Sequence, residues 1–204
     1  MNKHKVFISY HHANDQLYKD YLENFNNYYD IFINKSVAID DIDDDLPPDT
    51  IREIIRDDYL RDTSVLILLV GTETKNRKHV DWEIYSSMRN SAKNRKSGIL
   101  VINLPSVGCT YFRAAHGETE KRDFYPNTNE WISINDRTEY ERRYPYMPAR
   151  IIDNLLMEKS YISIVNWNDI ENDPEKLRKL IELTFQDRES CEYSLGRVMR
   201  ERNG

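Results

Sequence analysis

Short apolar runs alternate along the chain with segments whose apolar residues recur at helical spacing. Buried strands are predicted at four of these runs: 5–10 (KVFISY), 64–71 (SVLILLVG), 98–105 (GILVINLP) and 161–167 (YISIVNW). A fifth run, 31–39 (IFINKSVAI), is more polar and indicates a strand near the edge of a sheet.

Helical spacing appears between these strands. It predicts helices over 14–29, 50–60, 79–93, 149–159 and 173–185. Asn14 and Asp173 are the predicted N-caps, and Pro174 suits the first helical position. Strands that alternate with helices indicate an open, mostly parallel α/β sheet. In such sheets ligands bind beyond the carboxyl ends of the strands.

The pattern breaks over residues 106–146, which are polar, carry scattered aromatic residues and show little periodicity. A segment of this length without clear elements predicts a functional loop, a lid or a loop-rich insertion before the last strand. The C-terminal tail, 190–204, is expected to be surface-bound or frayed. Because no repeat or low-complexity linker divides the chain, a single domain over 1–204 is predicted.

Composition narrows the classes of partner and the compartment. A net charge of −6 argues against broad nucleic-acid binding, although it leaves room for a phosphate-bearing small molecule. No segment approaches the ~18 consecutive apolar residues of a membrane helix, and the N-terminal apolar run is too short for a signal peptide. Cys109 and Cys191 lie far apart, so a cytoplasmic protein with free thiols is expected.

The common motifs for phosphate and metal binding are absent from the sequence. There is no GxGxxG, GxxxxGK[ST], HExxH or CxxC. The adjacent His11 and His12 are expected to be too close in sequence to face one site from a regular element. The aspartates of 40–45 lack the glycine and glutamate of an EF-hand, so a solvated acidic loop is favoured and no metal site is predicted.

One carboxyl group stands out. Glu83 follows the loop after the 64–71 strand, and its neighbours Trp82, Ile84 and Tyr85 are large and apolar or aromatic. Such neighbours restrict water and strengthen the hydrogen bonds of a carboxyl group. A glutamate in the first turn of a helix also simply complements the helix dipole, so the pattern leaves both interpretations open.

Four motifs together resemble a known family. KVFISYHHAND, DDDL, LILLVGTET and HVDWEI resemble the TIR-like domains of bacteria and, more narrowly, the TIR-domain proteins of the Thoeris anti-phage defence system, over residues 3–105. The resemblance implies a flavodoxin-like, three-layer fold with a five-stranded parallel sheet. It also implies that NAD⁺ is a substrate whose nicotinamide–ribose bond is cleaved, with no resident cofactor. The expected product is a cyclic ADP-ribose isomer, a diffusible second messenger that activates a separate Thoeris effector.

The resemblance also assigns residues. Glu83 matches the catalytic glutamate of the family, and Phe7 and Ser9 match residues that line the nucleotide pocket. Asp45 falls in a loop that flanks this pocket, and Trp82 matches an aromatic residue that either binds substrate or packs the helix on the sheet. Cyclisation requires that water be excluded, for which the insertion offers three tyrosines as candidates: Tyr111, Tyr125 and Tyr144.

Two other functions remain open at the level of sequence. A TIR-like domain can be a non-enzymatic interaction module that acts by self-association, so a homo-oligomer is one expectation. A nucleoside deoxyribosyltransferase-like enzyme shares the sheet and a key glutamate. A phosphorylated receiver domain is disfavoured, because SYHH stands where an acidic pair should follow the first strand.

Overall fold

The computed structural model describes residues 2–36, 50, 54–55, 60–91 and 95–204, and within them lies one five-stranded sheet. Its strands are β1 (Lys5–Ser9), β2 (Ile33–Asn34), β3 (Val65–Val70), β4 (Gly98–Asn103) and β5 (Ser163–Asn166). All neighbours pair in parallel, in the order β2-β1-β3-β4-β5. This is the flavodoxin-like order, so the predicted fold class is confirmed, and β2 is an edge strand as expected.

Helices follow the strands, with bounds that differ in places from those predicted. They are α1 (His12–Tyr29), α2 (Lys78–Met88), α3 (Gly117–Phe124), α4 (Arg137–Arg143), α5 (Ala149–Leu155) and α6 (Pro174–Asp187). Asp173 caps α6 as predicted. The cap of α1 is His11 rather than Asn14, whose backbone N–H donates to the His11 side chain. The predicted helix over 50–60 lies mostly outside the described residues.

Helix α2 ends at Met88, short of the predicted Lys93. Arg89 leaves the helix with extended backbone angles. Asn90 then accepts a hydrogen bond from the backbone N–H of Lys96 through its side-chain oxygen. Asparagine competes with the helix by bonding nearby backbone groups in this way, which explains the early end.

The sheet is covered on both faces, which explains why its central strands are continuously apolar. All six residues of β3 are buried, and alternate side chains point to opposite layers. Leu66, Leu68 and Val70 pack in the core shared with α2 and α5. The residues between them, Val65, Ile67 and Leu69, point to the other face and pack in the core shared with α1 and α6.

No helix among the described residues is long and apolar enough to cross a membrane.

The segment 106–146 is more ordered than its sequence indicates, because it contains α3 and α4. Both helices are short and charged, and each buries a single side chain, Glu120 in α3 and Tyr140 in α4. A stripe of apolar residues is the signal on which helix prediction depends, and neither helix has one. The insertion also reaches the outer edge of the sheet, where Arg113 pairs with Ile164 of β5 in an antiparallel bridge.

A buried ion pair joins helix α2, helix α5 and the C-terminal tail. The guanidinium of Arg150, in α5, is fully buried and donates to both carboxylate oxygens of Asp81 in α2, at 2.8 and 3.0 Å. It also donates to the carbonyl oxygen of Arg197 at 3.0 Å, and the backbone N–H of Arg200 donates to Asp81 at 2.9 Å. The tail is therefore bound along the surface and does not fray.

Loss of this pair should destabilise the fold strongly. Arg150→Met leaves the Asp81 carboxylate buried without its partner, which costs about 3–5 kcal/mol of unfolding free energy. Urea denaturation of the wild type and the variant measures the loss. The control is Arg142→Met, which breaks a surface ion pair with Glu139 and should cost far less, because solvent screens exposed pairs. Similar losses in the two variants would show that the buried pair has no special role.

Candidate functional site

A cavity of about 160 Å³ opens at the carboxyl end of β1, next to the N-terminus of α2. In this strand order the direction of connection reverses between β1 and β3, and ligands of such folds bind at that switch point. The lining, mostly polar and aromatic, comes from the β1–α1 junction, the start of α1, the N-terminal part of α2 with the residue before it, and the tail: Tyr10, His11, His12, Arg77, His79, Val80, Glu83 and Asn203.

Glu83 is the carboxyl group of this cavity. It is only 3% exposed, and the hydroxyl of Ser9 donates to its Oε2 at 2.5 Å. Ser9 is the last residue of β1 and is itself buried. His79 and Val80 precede Glu83 by four and three residues, so they share its face of α2. The carboxyl group is thus oriented by a strand on one side and opens to the cavity on the other.

The loop from β3 to α2 is fixed against α1 by a small buried network. The backbone N–H of Gly71 donates to the Thr74 hydroxyl at 2.8 Å, and this hydroxyl donates to Asp15 at 3.3 Å. A Cβ at position 71 would lie 2.4 Å from an Asp15 oxygen, so any other residue there would displace the Asp15 carboxyl group. Burial raises the pKa of Asp15, and Thr74 partly offsets this effect. The network holds the loop that leads to Arg77 and α2.

Of the residues assigned by resemblance, Ser9 and Glu83 are brought together. Phe7 shares the face of Ser9 along β1, but it is packed in the apolar core and does not line the cavity. Trp82 also lies outside the lining; its Nε1 donates to the carbonyl of Arg200 at 2.8 Å, and its ring is buried in the core. Asp45 lies outside the described residues.

The three candidate tyrosines of the insertion do not line the Glu83 cavity. Tyr125 stacks on Phe112 with ring centroids 4.0 Å apart. Tyr144 is buried in the core, and Tyr111 packs against its edge. Their rings support the insertion itself, so the residues described here give them no part in closing the site.

His11 and His12 both line the cavity, which the expectation about two neighbours on one regular element did not cover. β1 ends at Ser9 and α1 begins at His12, so the two histidines lie at a junction between regular elements. The His12 ring stacks on Tyr10 with centroids 4.4 Å apart. Consecutive side chains diverge within a strand or helix, but at a junction between elements two neighbours can face the same space.

Asn203 is the residue that sequence could not have placed. Its side-chain oxygen accepts the backbone N–H of Lys78 at 3.0 Å, and its own side chain lines the cavity. The residue before α2, Arg77, supplies no side-chain cap. Asn203 therefore satisfies a donor in the first turn of α2 that would otherwise lack a partner. No local signal links it to a helix more than a hundred residues earlier.

His11 lines the cavity and has a pKa that its surroundings shift. Burial lowers the pKa of His11 below its ordinary value, and the nearby positive charge of Arg77 lowers it further. Its Nδ1 accepts the backbone N–H of Asn14 at 3.1 Å, which requires that Nδ1 carry no proton. The ring is accordingly neutral at neutral pH.

Within the described residues, no group of three His, Cys, Asp or Glu side chains is arranged to hold a metal ion.

His11→Asn should flatten the acid side of the stability profile. Because the folded pKa is lowered, the unfolded chain takes up the proton first, and wild-type stability falls as the pH drops through about 6.5. Asparagine keeps the N-cap but does not titrate. Thermal unfolding from about pH 8 to about pH 5 should show a smaller decline in the variant. Parallel profiles would contradict the neutral, capping role of His11.

Comparison with known proteins places this geometry in a family. The family described as the TIR-like domain of the Thoeris protein ThsB matches residues 7–108, which is half of the 204-residue chain and includes Ser9, His11 and all of α2. A comparison with curated proteins gave no significant match. The observed sheet order agrees with the flavodoxin-like fold of TIR-like domains. The chain belongs to the TIR-like domain family of the Thoeris protein ThsB.

Proposed function

We propose that this protein is a TIR-type enzyme in which Glu83 promotes cleavage of the nicotinamide–ribose bond of NAD⁺. The observation that supports this role is the buried Glu83 carboxyl group, held by the Ser9 hydroxyl at 2.5 Å and lining a cavity at the β1/β3 switch point. Burial of a carboxyl group is costly, which makes a buried one that lines a cavity a candidate for function.

One carboxylate is sufficient for this reaction. Glycosidases commonly use two, one of which protonates the departing sugar oxygen. The pyridinium of NAD⁺ leaves as neutral nicotinamide when the C–N bond breaks and takes both bonding electrons, so no acid is needed. The ribose becomes an oxocarbenium-like cation, and a fixed negative charge beside it lowers the barrier. Glu83 supplies that charge, and Ser9 fixes its direction.

The finer proposal concerns the product and its destination. Adenine captures the ribosyl cation within the same molecule and gives a cyclic ADP-ribose isomer. This product diffuses to a separate Thoeris effector and activates it in anti-phage defence. Membership in the ThsB family supports the defence setting. NAD⁺ is then a substrate, and the reaction requires no resident cofactor or metal.

The size of the cavity bears on how the substrate is held. Pockets for drug-sized ligands usually enclose about 300–1,000 Å³. The Glu83 cavity encloses about 160 Å³. The cavity is therefore too small for a whole dinucleotide. We place the nicotinamide riboside end beside Glu83, and the diphosphate and adenosine beyond the cavity.

Glu83→Gln should abolish NAD⁺ turnover without unfolding the protein. Glutamine keeps the shape and can accept the Ser9 hydrogen bond, but it lacks the charge that stabilises the cation. We expect the rate of nicotinamide release to fall by at least about a hundredfold. Chromatography and mass spectrometry of the products measure this rate and distinguish a cyclic product, which is lighter than ADP-ribose by one water. The assay uses purified protein and lysates of phage-infected cells.

Glu118→Gln is the matched control, since Glu118 is highly exposed on α3 and makes only a surface ion pair. It should retain wild-type turnover. Equal turnover in Glu83→Gln and wild type would reject the role of Glu83. Absence of turnover by wild type in both settings would favour a non-enzymatic interaction module, and transfer of deoxyribose between free bases would favour a deoxyribosyltransferase.

Ser9→Ala should lower kcat and leave KM nearly unchanged, because Ser9 orients the carboxyl group and does not itself line the cavity. Loss of a hydrogen bond to a charged group costs about 1.5–3 kcal/mol, so a decrease of about tenfold or more is expected. Steady-state kinetics test this, with Ser133→Ala, on the exposed part of the insertion, as the control. A change confined to KM would indicate that Ser9 contributes to substrate binding instead.

A further inference from the structure

A second cavity lies beside the Glu83 cavity and shares Arg77 with it. It encloses about 200 Å³ between the loop before α2, the start of α5 and the tail. Four of its lining side chains are cationic and one is acidic: Lys75, Arg77, Arg197, Arg200 and Asp81. We call it the basic cavity. The proposed function assigns it no role.

Two of these five charges are already neutralised. The Asp81 carboxylate is occupied by the buried guanidinium of Arg150 and by the backbone N–H of Arg200. Arg197 forms an ion pair with Asp153, at 2.5 Å. Lys75, Arg77 and Arg200 remain as the cations that could attract an anion into the cavity.

The two arginines among them lack counterions within the described part of the chain. Neither the Arg77 nor the Arg200 guanidinium forms an ion pair or a side-chain hydrogen bond there, although both residues are half-buried. Lys75 donates to the carbonyl of Pro145 at 2.7 Å and lies over the Tyr146 ring, so no counterion among the described residues neutralises it. A guanidinium held partly out of water without a partner is costly, and its fork of N–H donors matches the oxygens of a phosphate.

The position of Arg77 connects the two cavities. It lines the wall of the Glu83 cavity and that of the basic cavity, so a ligand that fills both must pass it. A dinucleotide whose nicotinamide riboside occupies the Glu83 cavity extends its diphosphate outward from the ribose. The cationic space next to that cavity has the charge and the place that this diphosphate requires.

We propose that the basic cavity is an anion site that binds the diphosphate of the dinucleotide substrate, with Arg77 and Arg200 as its main donors. The assignment to a dinucleotide rests on the proposed function of Glu83. The anion chemistry itself does not, because free pyrophosphate carries the same groups. The tail thereby contributes two parts of one substrate site, since Asn203 lines the Glu83 cavity and Arg200 lines the basic one.

The first experiment measures binding of inorganic pyrophosphate by titration calorimetry, without any turnover. Wild type should bind it, and Arg77→Gln or Arg200→Gln should weaken binding about ten- to a hundredfold, the effect of losing one charge-assisted hydrogen bond or two. Arg202→Gln is the matched control, because Arg202 is an exposed arginine of the same tail and does not line the cavity. No binding, or equal binding by all variants, would overturn the anion site.

The second experiment identifies the source of the phosphate groups. NAD⁺ and nicotinamide riboside, which has no phosphate, are titrated into Glu83→Gln with and without Arg200→Gln, so that the ligands stay intact. Arg200 lines the basic cavity but not the Glu83 cavity, so Arg200→Gln should weaken NAD⁺ binding about ten- to a hundredfold and leave nicotinamide riboside unaffected. An unchanged or undetectable NAD⁺ affinity would overturn the dinucleotide assignment.

These outcomes are separate from those of the turnover assay. If Glu83→Gln retained full turnover, the catalytic proposal would fail while the pyrophosphate titrations still decided the anion site. If the titrations failed and Glu83→Gln abolished turnover, the catalytic proposal would stand and the diphosphate site would be rejected.

Discussion

The Asp81–Arg150 ion pair is the interaction on which the arrangement of this site depends. Arg150 is fully buried and binds Asp81 through two hydrogen bonds, while it also holds the tail through backbone carbonyls. A buried pair of this kind adds little net stability over apolar packing, but each partner is costly without the other. Helix α2, helix α5 and the tail are consequently fixed relative to one another, and α2 carries Glu83.

The site is assembled around α2 from parts that are distant in sequence. Ser9 at the end of β1 holds the carboxyl group, and Asn203 in the tail caps the helix that carries it. The Gly71–Thr74–Asp15 network fixes the loop before that helix. Each contact satisfies a buried polar group, so the positions are over-determined in the way that a preorganised site requires. The geometry of the Glu83 cavity and the stability of the fold thus depend on many of the same hydrogen bonds.

The insertion, residues 106–146, contributes no residue to the lining of the Glu83 cavity. It covers the outer edge of β5, and its helix α3 packs against α6. Together with the C-terminal end of α5 and the residues that follow, it encloses a separate cavity of about 670 Å³. None of the residues around Glu83 lines this cavity. A polar cluster joins it to α6 and β5: His116 contacts Asp187 at 2.7 Å and Thr184 at 3.2 Å, while Glu120 accepts a hydrogen bond from Ser163 of β5. Neither the Glu83 cavity nor this larger one is lined by these residues, and their contacts fasten the insertion to the domain.

The sequence by itself determined the layers of this protein. Continuous apolar runs such as 64–71 specify strands buried on both faces, and the capped stripe of α6 specifies a helix packed on one of them. Motif resemblance singled out Ser9 and Glu83, which the fold brings into contact. Only the tertiary structure decided that His11 and His12 share a cavity, that Trp82 faces the tail, and that Asn203 and Arg200 reach the site. Periodicity reports which face of an element is buried, whereas contacts between junctions and a distant tail arise from long-range packing that leaves no periodic trace in the sequence.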